Sequence, residues 1–191
     1  MFSNNWFTNP LPYGLDYNKR PQDFWPTPAH CTKSLLDDYP PKNILKVTDP
    51  CAGDGAILRV LKDYGYSVNA IELRIEEKEG LEKICPTIIG DWLKIAWNFK
   101  PKVIITNPPF KIGIEIVSAS LGTTAKYIAM LLRLDTLGSN NWSKIWLNNP
   151  PTAIRPLRKR PSFSGDKKTD FSNYGWFIWD KEKSDLDIKP I

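Results

Sequence analysis

Asn107, Pro108, Pro109 and Phe110 follow a short apolar run ending at Thr106, and their types and order suggest chemistry on an amine. Two consecutive prolines fix φ and remove two backbone donors, leaving bare carbonyls beside an Asn side chain. The Asn oxygen and a proline carbonyl can then accept both hydrogens of one NH₂ group. An aromatic amine is a poor nucleophile because its lone pair is delocalised into the ring. Two acceptors draw the nitrogen toward tetrahedral geometry and localise that pair, so it can attack an electrophilic methyl in line. Positioning supplies most of the catalysis, and little acid–base chemistry is needed. Phe110 offers a face on which a flipped-out base can stack. The same tripeptide recurs at Asn149, Pro150 and Pro151, but there it follows a predicted helix and reads as a turn.

A second cluster precedes it. Asp49-Pro50-Cys51-Ala52-Gly53-Asp54-Gly55 lies between a predicted strand and a predicted helix. Gly53 and Gly55 let the backbone turn tightly and approach a ligand with no Cβ in the way. Glu72 ends the next strand, where a carboxylate can accept from both hydroxyls of a ribose. Asp91 ends the third, where it can accept from an adenine amine. Leu58 stands where a dinucleotide fingerprint requires a third glycine, so that class is disfavoured. Farther on, Arg155, Arg158, Lys159 and Arg160 crowd one segment, with Lys167 and Lys168 close behind. They can hold phosphates or guard a strand edge with charge. Phe163 is either a base contact or a core aromatic. Trp142 and Trp146 read as one apolar helix face. Three cysteines without CxxC spacing and a single His leave no expected metal site.

These residues need a scaffold that brings strand ends together. Apolar runs predict seven strands at 44–48, 68–71, 87–89, 103–106, 127–132, 153–157 and 175–179. Helical patterns fall at 29–39, 56–64, 75–84, 113–121 and 139–147. The alternation predicts an α/β fold of the Rossmann-like type: a seven-stranded, mostly parallel sheet with helices on both faces and one antiparallel strand near the end. The last two long strands read as a hairpin with a long connection. Residues 1–23 read as an irregular arm, 24–181 as one domain and 182–191 as a solvated tail. A chain of 191 residues suits a single core, and its net charge of +5 suits a polyanionic partner. The longest central apolar run, 127–132, is too short to span a bilayer, and nothing at the start reads as a signal peptide, so a cytoplasmic protein is expected.

Taken together, these motifs resemble the class I S-adenosylmethionine-dependent methyltransferases. Within them they are similar to the amino-methyltransferases with (D/N/S)PP(Y/F/W), and most narrowly to small bacteriophage and prophage DNA adenine-N6 enzymes. Trp25-Pro26-Thr27-Pro28 resembles the W-x-T-P segment of the phage members. Leu131-Leu132-Arg133, Arg160-Pro161-Ser162-Phe163, Thr169-Asp170 and the run from Tyr174 to Trp179 resemble their final third. The similarity runs from about residue 24 to 181. It implies S-adenosylmethionine as cofactor, held by Trp25, Thr27, Pro28, Asp49, Cys51, Gly53, Gly55, Glu72, Asp91 and Trp92. It implies catalysis by Asn107, Pro108, Pro109 and Phe110, and substrate binding by Arg158, Lys159, Arg160 and Phe163. DNA is the expected partner, with RNA as the alternative, since NPPF also occurs in guanine-N2 methyltransferases acting on ribosomal RNA. Another alternative is a non-catalytic subunit that keeps the fold and binds nucleic acid. Cys51 stands where many adenine enzymes have Phe, and Phe110 replaces the commoner Tyr. No large target-recognition domain fits the length, so sequence specificity is expected to be low, or to come from a partner or a second copy.

Overall fold

The computed structural model describes residues 26–163 and 171–191. The expected arm at 1–23, Trp25, Lys167, Lys168, Thr169 and Asp170 lie outside the described residues. The strands are β1 (Lys46–Asp49), β2 (Ser67–Glu72), β3 (Thr87–Ile89), β4 (Val103–Thr106), β5 (Tyr127–Arg133), β6 (Ala153–Pro156), β7 (Tyr174–Asp180) and β8 (Asp187–Ile188). The helices are α1 (Ala29–Asp38), α2 (Ala56–Asp63), α3 (Lys78–Glu82), α4 (Trp92–Ile95), α5 (Gly113–Leu121) and α6 (Ser143–Asn148). They build one sheet in the order β3-β2-β1-β4-β5-β7-β6-β8. Neighbours from β3 to β5 are parallel, and β7 runs antiparallel to both β5 and β6.

The sheet is apolar on both faces because successive residues of a strand point to opposite sides. On β5, Tyr127, Ala129 and Leu131 enter one core with Cys31, Leu35, Leu58, Leu61 and Leu81 from α1, α2 and α3. Ile128, Met130 and Leu132 enter the other, with Trp92, Ile116, Val117 and Ile145 from α4, α5 and α6. Trp176 and Ile178 of β7 face the first core, Phe177 and Trp179 the second. Helices thus cover both faces, as the strand–helix alternation predicts. Trp142 and Trp146 stack with ring centroids 5.1 Å apart, and Trp146 stacks on Phe177 at 5.2 Å. They are core side chains over the sheet.

Three expectations change. The sheet has eight strands, not seven, because the tail adds an edge: β8 pairs parallel with β6 at Ala153↔Asp187 and Ile154↔Ile188. Residues 182–190 are exposed, but the segment is docked as well as solvated, with Ile191 packed against the first core. Arg155 is no phosphate contact. It is 2% exposed, pairs with Asp38 (2.6 Å) and Asp187, and lies 4.8 Å over the Tyr39 ring. The tail's charges therefore partner a buried guanidinium. No helix among the described residues is long and apolar enough to cross a membrane.

Candidate active site

The strand order reverses at β1, whose neighbours are β2 on one side and β4 on the other. Open α/β sheets form a crevice beyond the strand ends at such a point. Here β1 ends at Asp49, β2 at Glu72 and β4 just before Asn107, and all three line one cleft. Thr27, Cys51, Gly53, Asp91, Trp92, Pro108, Pro109 and Phe110 also line it.

The loop after β1 requires left-handed backbone. Gly53 has φ 56° and Gly55, which caps α2, has φ 84°. A Cβ on Gly55 would sit 2.6 Å from Ile84 Cδ1, the movable end of a side chain, so it is the left-handed turn that calls for glycine there. Gly55 does not itself line the cleft. The Gly53 amide donates to Glu72 Oε2 at 2.7 Å, which stitches the loop to β2. Glu72 Oε1 accepts from the Arg74 amide at 3.0 Å and from Arg74 Nε at 2.9 Å. Glu72 is 6% exposed, and each of its oxygens already has a donor. Asp91 caps α4 by accepting from the Leu93 amide at 3.1 Å. Its carboxylate therefore has a local role beside any ligand role, one that its place at a strand end does not reveal.

The other half of the cleft has the opposite character. Asp49 is 1% exposed; its Oδ1 accepts from the Cys51 amide at 3.1 Å while Oδ2 has no partner. Burial pushes its pKa up to about 7, and the Glu72 charge adds to the rise against the Cys51 amide and the nearby Thr106 hydroxyl. The Cys51 thiol is pushed well above its ordinary value, chiefly by burial and then by the Asp49 and Glu72 charges, so it is a neutral wall. Asn107 donates from Nδ2 to Thr27 Oγ1 at 3.1 Å, and its buried Oδ1 has no partner. The Pro109 carbonyl accepts from the Ile112 amide at 3.2 Å, closing a short 3₁₀ turn. No backbone amide among the described residues donates to the Pro108 carbonyl. Asn107 Oδ1 and Pro108 O are therefore two acceptors that no backbone amide among the described residues occupies. Asn107 Oδ1 is buried with no partner at the end of β4, and nearby Asp49 Oδ2 and Thr106 Oγ1 are buried close to each other without a well-formed hydrogen bond. Such a group costs about 1–3 kcal/mol unless something satisfies it.

Beside the cleft, Phe110, Phe163 and Tyr174 form an aromatic trio, with Phe110–Phe163 at 6.0 Å and 68° and Phe163–Tyr174 at 5.1 Å and 73°. Nothing in the sequence marks Tyr174 as a ring partner, because only the antiparallel return of β7 brings it there. Phe163 is 8% exposed and belongs to the first core. It lines a second groove with Pro28, Lys33, Arg59 and Ser162. Arg158, Lys159 and Arg160 are exposed and line neither depression. The His30 ring lies 3.4 Å from the Lys159 carbonyl, which puts the basic segment beside the start of α1. Trp92 borders the cleft, but its indole N–H bonds Ser120 Oγ at 3.0 Å and its ring packs against Phe99, so it is mainly a core residue. Arg74 lines the cleft and is not expected from sequence, since its bond to Glu72 has no periodic signature there.

Neither a family model nor a curated protein sequence matches this chain. Solved structures are similar in fold. One named as an RNA methyltransferase from Pyrococcus horikoshii has a TM-score of 0.64 at 15% identity, over 84% of this chain and 89% of that one. A structure named as a modification subunit of a type I restriction enzyme from Vibrio vulnificus has a TM-score of 0.63 at 15% identity, over 87% of this chain and 47% of its own length. The 23S rRNA methyltransferase ErmE has a TM-score of 0.57 at 16% identity, over 81% and 69%. The chain thus shares the fold of solved methyltransferases.

Proposed function

We infer that this protein transfers a methyl group from S-adenosylmethionine to an exocyclic amine, adenine N6 in DNA. The observation that carries the reading is the Asn107 carboxamide: its oxygen is buried and without a partner, directly after β4 and one residue before Pro108. A protein rarely buries such an oxygen without a donor to receive, and an NH₂ group supplies two.

The residues present fit the cofactor. Asp49 Oδ2 is an orphan carboxylate oxygen suited to a cationic group, Glu72 to ribose hydroxyls and Asp91 to an adenine amine. When bound, S-adenosylmethionine supplies its methyl carbon as an electrophile on a positively charged sulfur. The chain's own work is to hold the amine. Asn107 Oδ1 and Pro108 O accept its hydrogens, which localises the nitrogen lone pair. These acceptors gain strength as positive charge develops there, so they favour the transition state over the ground state. Phe110 provides a face for the base with Phe163 packed behind it, and Arg158, Lys159 and Arg160 form an exposed cationic segment for phosphates.

A base in RNA, at guanine N2 or adenine N6, is the second reading, favoured by the two similar folds named as RNA methyltransferases. A non-catalytic subunit is disfavoured by the intact acceptor pair. Incubation with methyl-labelled cofactor and either DNA or RNA, followed by nucleoside mass spectrometry, separates the three. N6-methyladenine from DNA is expected. Label in RNA alone would replace the substrate, and label in neither would overturn the enzymatic reading.

A further inference from the structure

The geometry points to Thr27 as the positioning residue that anchors the Asn107 carboxamide with its Oδ1 toward the target amine. This role rests on the methyl-transfer reading above and deepens it, since the resemblance implied only a cofactor contact for Thr27.

Asparagine alone is ambiguous. Its carboxamide presents an acceptor at one end and donors at the other, and rotation by half a turn exchanges them. Only the acceptor end can draw on an NH₂ group; the donor end would meet the amine hydrogens with like partial charge. A threonine hydroxyl can accept from one end or donate to the other, so the bond it makes in the folded protein is what counts. In this structure Nδ2 donates to Thr27 Oγ1 at 3.1 Å, across 80 residues of sequence. With the nitrogen so committed, the planar group must turn Oδ1 the other way, where it is buried without a partner. Thr27 is 6% exposed, so water does not readily replace its hydroxyl.

Thr27 is itself held from behind. It enters α1 one residue after Pro26 and just before the Pro28 cap, and α1 is tied to the sheet at both ends. Near the start, the Trp176 indole donates to the Cys31 carbonyl at 2.8 Å. Near the finish, the Tyr127 hydroxyl donates to the Tyr39 carbonyl at 2.7 Å, and Arg155 pairs with Asp38 at 2.6 Å. These ties come from β5, β6 and β7, so the far half of the sheet fixes Thr27 and Thr27 orients Asn107 at the end of β4.

The test compares Thr27→Val, which keeps shape and loses the hydroxyl, with Thr27→Ser, which keeps the hydroxyl. If a misaligned group at the reaction centre costs about 10²-fold, Thr27→Val should lower kcat at saturating cofactor by that order, and Thr27→Ser should recover to within about threefold. The Asn107 side-chain NH₂ resonance, assigned by its loss in Asn107→Asp, should shift in Thr27→Val and stay in place in Thr27→Ser. An unmoved resonance in Thr27→Val overturns the proposal whatever the rates. A moved resonance with unchanged kcat overturns it too, as does a variant that loses cofactor affinity and keeps kcat. If the wild type methylates neither DNA nor RNA, the functional reading fails and the catalytic use of Thr27 with it, while the resonance still reports the hydrogen bond, so the two failures are told apart.

Discussion

The two sides of the cleft differ in which polar atoms the fold itself satisfies. At the end of β2, Glu72 already receives three donors, one from Gly53 and two from Arg74. At the ends of β1 and β4, Asn107 Oδ1 receives none, and Asp49 Oδ2 has only the nearby Thr106 hydroxyl without a well-formed bond. The first side is preorganised by its own contacts, so a ligand there shares an existing network. On the second side, Thr27 takes one end of Asn107 and the Cys51 amide one oxygen of Asp49, and each group keeps its other oxygen for a ligand. A side chain can thus border a ligand site either as part of the fold's own bonding or as an acceptor that the fold leaves unpaired, and mutation should tell these apart.

Asn107→Ala should break the contrast most sharply. Removing a preorganised transition-state contact costs on the order of 10²–10³ in rate. Because Oδ1 has no partner in the folded protein, the variant loses only the Nδ2 bond to Thr27, so the melting temperature should fall by no more than one hydrogen bond's worth while cofactor affinity stays nearly unchanged, as read by calorimetry. Methyl transfer near the wild-type rate in the saturated variant would exclude Asn107 from the chemistry.

Glu72→Ala should behave in the opposite way. Hydrogen bonds to a charged group contribute about 1.5–3 kcal/mol each, so cofactor affinity should fall at least about tenfold. The Gly53 amide loses its acceptor as well, so this variant should melt earlier than wild type. An unchanged affinity in a folded variant would remove Glu72 from the ribose site.

Asp49 gives the comparison a pH dependence. Its carboxyl is raised from 3.8 to about 7 by burial, so between those values the folded state holds a proton that the unfolded chain has released. Stability of the unliganded protein should therefore fall as pH rises through that window and level off above it. A cationic cofactor favours the ionised carboxylate, so its affinity should rise with pH up to about 7, by at most about tenfold per unit. Asp49→Asn should flatten both profiles in melting and titration experiments. A wild-type affinity independent of pH between 6 and 8 would detach Asp49 from the cofactor.

The smallest effect is expected outside the cleft. Changing Arg158, Lys159 and Arg160 together to Ala should flatten the salt dependence of duplex DNA binding by up to about 0.9 log unit for each phosphate no longer neutralised. Cofactor affinity should not move. A salt slope equal to that of wild type would make these residues a solvated edge only.

Much of this arrangement is legible in the sequence, and the reason lies in local periodicity. The seven principal strands, the glycine turn and the tetrapeptide after β4 follow from apolar alternation and from backbone limits on Gly and Pro, which act within a few residues. What escapes a sequence reading is set by partners distant along the chain. Arg155 sits in a basic run that suits phosphates, yet α1 and β8 supply Asp38 and Asp187 to it. The tail looks solvated because its residues are polar, but β6 offers an edge and the tail pairs with it.

By itself, the sequence determined the alternation of strand and helix, the turn at Gly53 and Gly55, and the pairing of an amide with two prolines, because each is written in neighbouring residues. Only the tertiary structure decided which polar atoms stay bare. Glu72 is satisfied and Asn107 Oδ1 is not, because hydrogen-bond partners are assigned by the order of strands in the sheet, and that order places Gly53 against Glu72 and Thr27 against Asn107.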